Sequence, residues 1–498
     1  METYLPSTHS CREPILPNAQ ELDTAADRLL EELPREGVGL TGVTHHLTKH
    51  VLPACNDSSL SPHYYGFVTG GATPAALMGD MLATIVDQNV QVHLPEETIC
   101  TTLESRTLEM LLDLFHLPRE TWKGRSFTTG CTASNILGLA CAREALLRDK
   151  LVFAGYGFAD ASIAELGFLE ACLQSGVKGM QVLAAMPHSS VTKAAAVVGI
   201  GRQQVKSVSL AEAPWEFDMY QLEAALDDGV RRGIVSIIVA GYGEVNTGRF
   251  VSNLRDIRSL VNRYGSAWIH VDAAFGIFAR VFSKLDGAHS MADVAGWAEQ
   301  IGYADSIAGD GHKLLNVPYD CGFFFTRTAN ILEQNLVNVA PYLAAPPISG
   351  PPIPSPLNIH LENSRRFRAL PVYATLGAYG AAGYKDLVKR LILHAREIAR
   401  VVYRHPAYEL LPVEDGTEEE CISRVFMVVL FRARDPWQNQ LLRERINATG
   451  RMYVSATVWD GKPAVRCAVG NWRVSTDKKG TDGWGVVEEV LQQVGGML

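Results

Sequence analysis

The chain has 498 residues, 47% of them hydrophobic and 20% charged, which is too long for one simple core and implies a large domain with one or two satellites. A net charge of −9 argues against a general binder of nucleic acid or anionic membranes. No run approaches the roughly 18 apolar residues of a membrane helix, and Met1-Glu2-Thr3-Tyr4-Leu5-Pro6 lacks the basic-then-apolar pattern of a secretory signal. Nine scattered cysteines without a CxxC pair suggest neither a disulfide framework nor a zinc site, so a cytoplasmic, reduced protein is expected.

Residues 1 to about 20 are polar and contain prolines, as in an arm ordered only by docking. Helical patterning runs from about Ala19 to Leu52 and from Pro74 to Val90. Between them lies the aromatic, glycine-rich stretch Pro62-His63-Tyr64-Tyr65-Gly66-Phe67-Val68-Thr69-Gly70-Gly71. From about 96 to 330 helical stretches alternate with short apolar runs, among them Val182–Ala185, Ile234–Val239, Trp268–Val271 and Gly322–Phe325. That alternation predicts βαβ units and a mainly parallel sheet. Residues 341 to 356 carry seven prolines and read as a connector or a lid. A long helical stretch after about 370, the apolar run Val425–Phe431 and a last helix near Gly485–Val494 read as a smaller α/β domain. The expected division is therefore 1–95 (N-terminal helical segment and dimerisation arm), 96–370 (large domain) and 371–498 (small C-terminal domain).

Four features converge on one chemistry. Asp272 closes the apolar run Trp268-Ile269-His270-Val271 and is followed by Ala273 and Ala274; an acid at a strand end can hold a protonated pyridine nitrogen, or merely cap the following helix. Lys313, in Asp310-Gly311-His312-Lys313-Leu314-Leu315, has apolar surroundings that suit a desolvated amine of lowered pKa able to form a Schiff base. Phe127-Thr128-Thr129-Gly130-Cys131-Thr132 leads into a helix whose first N–H groups can hold a phosphate. His188, after an apolar run, can stack on a pyridine ring and move protons, or simply begin a helix. These are the anchors that pyridoxal 5'-phosphate requires. His46 and His50 have helical spacing but no third ligand or HExxH glutamate, so no metal is expected, and Gly199-Ile200-Gly201 falls short of a dinucleotide-binding fingerprint.

With these residues in place the chain resembles the group II pyridoxal-phosphate decarboxylases of fold type I, whose members act on aromatic amino acids, tyrosine, histidine and glutamate. The resemblance spans roughly residues 60 to 475 and rests on Tyr65–Gly71, His270–Ala274, Asp310–Lys313, Asn316–Gly322 and Ser364-Arg365-Arg366. It implies an α/β fold with a large domain, a mainly parallel sheet flanked by helices, an N-terminal helical segment and a small C-terminal α/β domain. It also implies that Lys313 carries the cofactor and Asp272 faces its ring nitrogen. His188 would stack on the ring, with Ala274 on the opposite face. Gly130, Cys131, Thr132 and His312 would hold the phosphate, with Asn246 a nearby polar contact. Tyr64, Tyr65, Phe67 and Thr69 would line the substrate pocket. Members are homodimers with active sites at the interface.

Relatives carry a tyrosine some residues before the double arginine that reprotonates the substrate carbon. The corresponding stretch here, Pro354–His360, has none, which leaves Tyr342 and His360 as candidate donors. The reading that follows is decarboxylation of an L-amino acid, aromatic by preference, to its amine and carbon dioxide. The alternatives are decarboxylative oxidative deamination to an aldehyde or other carbanion chemistry, and, remotely, a non-catalytic homologue acting as a binding partner.

Overall fold

A computed structural model describes residues 13–158, 160–282, 291–338 and 353–496. The chain divides into two compact units, Ala72–Lys389 and a second formed by Met1–Gly71 with Arg390–Leu498.

The larger unit is built on seven strands: β1 (Gly124–Thr128), β2 (Gly179–Ala184), β3 (Val205–Ser207), β4 (Ile234–Gly241), β5 (Ala267–Asp272), β6 (Ser306–Asp310) and β7 (Gly322–Thr326). Their order is β1-β7-β6-β5-β4-β2-β3. The pairs from β6 through β5, β4 and β2 to β3 are parallel, and β7 alone runs against its neighbours. The expected mainly parallel sheet is present. Its central strands are near-continuous apolar runs because helices cover both faces; β4 and β7 are buried along almost their whole length.

This topology brings the chemistry together at one edge. Strands β1, β2, β5 and β6 point the same way, so Thr128, Ala184, Asp272 and Asp310 all end at the carboxyl side, where ligands of such sheets collect. The reversed β7 begins there, and Gly322 pairs with both Thr128 and Asp310. A Cβ on Gly322 would lie 2.6 Å from Gly130 Cα, so glycine alone lets the loop after β1 close over the sheet. The helix Cys131–Phe153 that leaves this loop packs on β5, β6 and β7 and is buried on most of its circumference.

The smaller unit holds an antiparallel sheet of β8 (Tyr408–Leu411), β9 (Val428–Ala433), β10 (Ser455–Trp459) and β11 (Lys462–Ala468) in the order β10-β11-β9-β8. The expected domain boundaries shift. The aromatic loop belongs to this unit because its backbone is sewn to the C-terminal chain: Tyr65 N–H donates to Tyr453 C=O, Tyr453 N–H to His63 C=O, and Ala468 N–H to Tyr65 C=O. Residues 72–95, assigned from sequence to an N-terminal segment, fall in the larger unit. There the Thr73 hydroxyl lies 3.0 Å from that of Thr375, and Thr73 N–H donates to Asn316 C=O. The long helical stretch after 370 is present as Ala369–Arg404, broken at Gly380, whose φ of 58° only glycine takes readily. Among the described residues no helix is long and apolar enough to cross a membrane.

Candidate active site

Asp272, at the carboxyl end of β5, is held from three sides. Its Oδ1 accepts the Cys131 thiol at 3.2 Å and the Ala274 N–H at 3.3 Å, and its Oδ2 accepts the Asn135 amide at 2.8 Å. Cys131 and Asn135 are one helical turn apart, so the start of one helix presents both donors to one carboxylate. Burial, with the charges of Asp272 and Asp310, pushes the Cys131 thiol well up, so it stays protonated and donates.

Behind Asn135 lies a buried relay. The Asn135 carbonyl is 2.9 Å from His270 Nε2, His270 Nδ1 is 2.8 Å from Ser306 Oγ, and that hydroxyl accepts the indole N–H of Trp268 at 2.9 Å. The asparagine oxygen can only accept, so Nε2 carries the ring proton and Nδ1 accepts from the serine. Burial, opposed by Asp272, lowers the His270 pKa to about 4, so the ring is neutral. The Asn135 amide also donates to Ser190 Oγ at 3.0 Å, and that oxygen is 2.7 Å from His188 Nδ1. His188 is thereby tied to Asp272 through Ser190 and Asn135, while its ring, at the start of the helix Ser189–Val197, remains exposed.

Lys313 follows β6 in the short helix Gly311–Leu314. Its ammonium lies 2.8 Å from Asp310 Oδ2 and 5.8 Å from the centre of the Phe275 ring. Burial lowers its pKa, but Asp310, with Asp272 adding to it, outweighs burial, and the net shift is upward. This reverses the depressed amine expected from the apolar surroundings, because the fold places an acid in direct contact with it. His312 accepts the Cys321 N–H at Nδ1 (3.3 Å), points Nε2 at Asp310 Oδ1 (3.5 Å) and packs on Tyr319 with ring centres 4.5 Å apart; burial lowers its pKa. Asp310 Oδ1 also accepts the Cys131 N–H at 2.6 Å, which joins the helix start to the lysine. Gly130 and Thr132 flank Cys131, and a Cβ on Gly130 would come within 3.2 Å of His312 Cε1.

The structure thus assembles Gly130, Cys131, Thr132, Asp272, Ala274, His312 and Lys313 around one strand edge, with His188 joined through hydrogen bonds. Asn246 lies in the turn 243–248, organised by Glu244, whose carboxylate accepts the N–H groups of Asn246 and Thr247; a Cβ on Gly243 would come within 2.7 Å of Phe275, so this turn abuts the ring beside Lys313. Sequence reading missed Asn135, Asp310, Ser190 and Phe275. Helical spacing from Cys131 and from Lys313 was the available signal for the first two.

His360 is revised. It is buried behind β1, with Nδ1 2.6 Å from Ser126 Oγ and Nε2 3.3 Å from Glu104 Oε1, and Glu104 is paired at 2.8 Å with a fully buried Arg365. Both ring nitrogens are spent on this cluster, so it holds the segment after the proline-rich stretch and does not donate to a substrate. Tyr342 lies outside the described residues. In the smaller unit Tyr64 stacks on Tyr453 (4.5 Å, 2°), Thr69 Oγ1 donates to Gly66 C=O, and the buried Tyr65 hydroxyl lies 3.0 Å from His63 and 2.9 Å from His394. Phe67, at φ 57°, is exposed.

The description "Pyridoxal-dependent decarboxylase conserved domain" is matched by residues 26–429. The chain belongs to this family. The enzyme is 25% identical over 479 residues to tryptophan decarboxylase 1 of Oryza sativa subsp. japonica, covering 92% of this chain and 85% of the relative. It is 22% identical over 481 residues to phenylacetaldehyde synthase of a Rosa hybrid cultivar, covering 93% and 86%. The crystal structure of Oryza sativa TDC with PLP and tryptamine superposes with a TM-score of 0.79 at 21% identity, over 97% of this chain and 93% of that one. The enzyme has the fold type I architecture and its cofactor is pyridoxal phosphate. The residues present fit that group: a half-buried lysine, a fixed carboxylate at a strand end, and a helix start whose first amide already carries an anion.

Proposed function

We propose that the enzyme removes the α-carboxyl group of an aromatic L-amino acid as carbon dioxide and releases the amine. The observation that carries this is the three-sided grip on Asp272 at the same strand edge as Lys313. When bound, pyridoxal phosphate supplies an aldehyde to receive amines and a ring that takes up the electron pair left on the α-carbon.

The chain's own groups set up that chemistry. Asp272 would hold a proton on the ring nitrogen, and the donors around it keep it aimed. Gly130, Cys131, Thr132 and His312 offer backbone and ring N–H groups to the phosphate, while Lys313 offers the amine that tethers the aldehyde. His188 and Ala274 would flank the ring. The preference for an aromatic substrate is supported by the names of the relatives, a tryptophan decarboxylase and a phenylacetaldehyde synthase.

A second reading has its own support. Pro354–His360 lacks the tyrosine expected there, His360 is unavailable, and one relative is named for an aldehyde product. Decarboxylation coupled to oxidative loss of the amine would then give an aldehyde. We also infer a homodimer, because the helix Pro74–Val86 leaves Met78, Leu82, Ile85 and Val86 exposed along one side.

Mass spectrometry of products from the cofactor-loaded enzyme and a panel of L-amino acids, with and without oxygen and beside Lys313→Ala, tests the assignment. An amine formed irrespective of oxygen, and lost in Lys313→Ala, is expected. An aldehyde formed only with oxygen selects the second reading, and no turnover of any amino acid refutes both.

A further inference from the structure

The acid just before the lysine has no role in the mechanism above. Asp310, the last residue of β6, is 3% exposed, and both of its oxygens are engaged. Oδ1 accepts the N–H of Cys131, first residue of a 23-residue helix, at 2.6 Å and lies 3.5 Å from His312 Nε2. Oδ2 lies 2.8 Å from Lys313 Nζ. Helix-start amides attract anions, and this helix start is where the phosphate is assigned. A carboxylate of the protein's own sits on the first of those amides, close enough that a Cβ on Gly130 would be 3.4 Å from it.

We propose that Asp310 is an internal competitor for the cofactor phosphate: it occupies the Cys131 amide and holds Lys313 until the phosphate displaces it, and so sets how fast and how tightly pyridoxal phosphate is captured. This rests on the assignment of the cofactor to Lys313 and the helix start. Carboxylate and phosphate repel at such range and cannot both accept one N–H. The lysine must also be neutral to attack the aldehyde carbon, and Asp310, 2.8 Å away, holds the proton on the amine; once that proton is lost to solvent, the C–N bond forms and the carbonyl oxygen leaves as water.

Asp310→Asn, similar in size but uncharged, tests this on the full-length protein stripped of cofactor. Stopped-flow absorbance follows capture of pyridoxal phosphate and, separately, of pyridoxal. Borohydride reduction and peptide mass spectrometry locate the attachment. Losing one charge-assisted contact predicts capture of pyridoxal phosphate about ten-fold faster and about ten-fold tighter at neutral pH, with a smaller gain for pyridoxal, which brings no phosphate. The rise of the capture rate with pH should also move to lower pH in the variant. Equal or weaker capture by the variant overturns the proposal, and so does an equal gain with pyridoxal. Asp310→Ser, judged by the same criteria, replaces Asp310→Asn should the latter melt below the parent protein. Attachment away from Lys313 in the parent refutes the site assignment itself, whereas attachment at Lys313 with unchanged capture refutes this inference alone.

Discussion

Replacing Glu104 by glutamine removes one charge from a cluster closed to water. Glu104 is 3% exposed, the Arg365 side chain is fully buried, and Arg365 Nη1 donates to both carboxylate oxygens at 2.8 and 2.9 Å. Burial pushes the Glu104 pKa up, but Arg365 and the hydrogen bond from His360 outweigh it and bring it from 4.5 down to about 2. A shift of that size corresponds to about 3 kcal/mol of stability above pH 4.5, of the order expected for breaking a buried pair and stranding the arginine. Because the folded-state pKa is depressed, the contribution is full above the unfolded value and is lost as pH falls from 4.5 toward 2. Glu104→Gln should therefore be less stable than the parent by about 3 kcal/mol at pH 7, with the gap narrowing steadily below pH 4.5. Urea unfolding of the cofactor-free protein, followed by tryptophan fluorescence at a series of pH values, measures the gap directly. A difference below about 1 kcal/mol at pH 7, or one that does not narrow in acid, would refute the buried-cluster account and reopen His360 as a donor to substrate.

Asn135→Ala should destabilise the protein by about 2 to 5 kcal/mol, because it strands the Nε2–H of buried His270 and removes a donor to the Asp272 carboxylate. It should also weaken pyridoxal phosphate binding, read by fluorescence titration, and Asn135→Asp should not rescue it. Cys131, whose thiol burial holds well up, should resist iodoacetamide in the native protein at pH 8 while exposed Cys55 is alkylated; labelling of both at equal rates, measured by peptide mass spectrometry, would contradict its role as a neutral donor.

Much of the catalytic edge is legible in local sequence because the residues concerned sit at strand ends. A run such as Trp268-Ile269-His270-Val271, set among alternating helical stretches, reads as a buried strand, and an acid immediately after it falls at the carboxyl edge. Gly130-Cys131-Thr132 before a long helix announces free N–H groups for the same reason. The lysine after the next strand completes the pattern, and the order of these pieces led to the family and the cofactor.

What surrounds those residues was decided by tertiary structure. His360 lies only five residues before Arg365, so by sequence it could equally be a donor to substrate or a buried anchor; the helix bearing Glu104, more than 250 residues away, made it the latter. The Lys313 amine looked desolvated, and its protonation is instead governed by Asp310 turning back across a single helical turn. Tyr65 seemed poised for a substrate, yet its hydroxyl is claimed by His63 and His394, the second over 300 residues distant. Strand ends and helix starts are written in neighbouring residues because backbone hydrogen bonding is local, whereas a side chain's charge state and free valence depend on which remote group the fold places within about 3 Å of it.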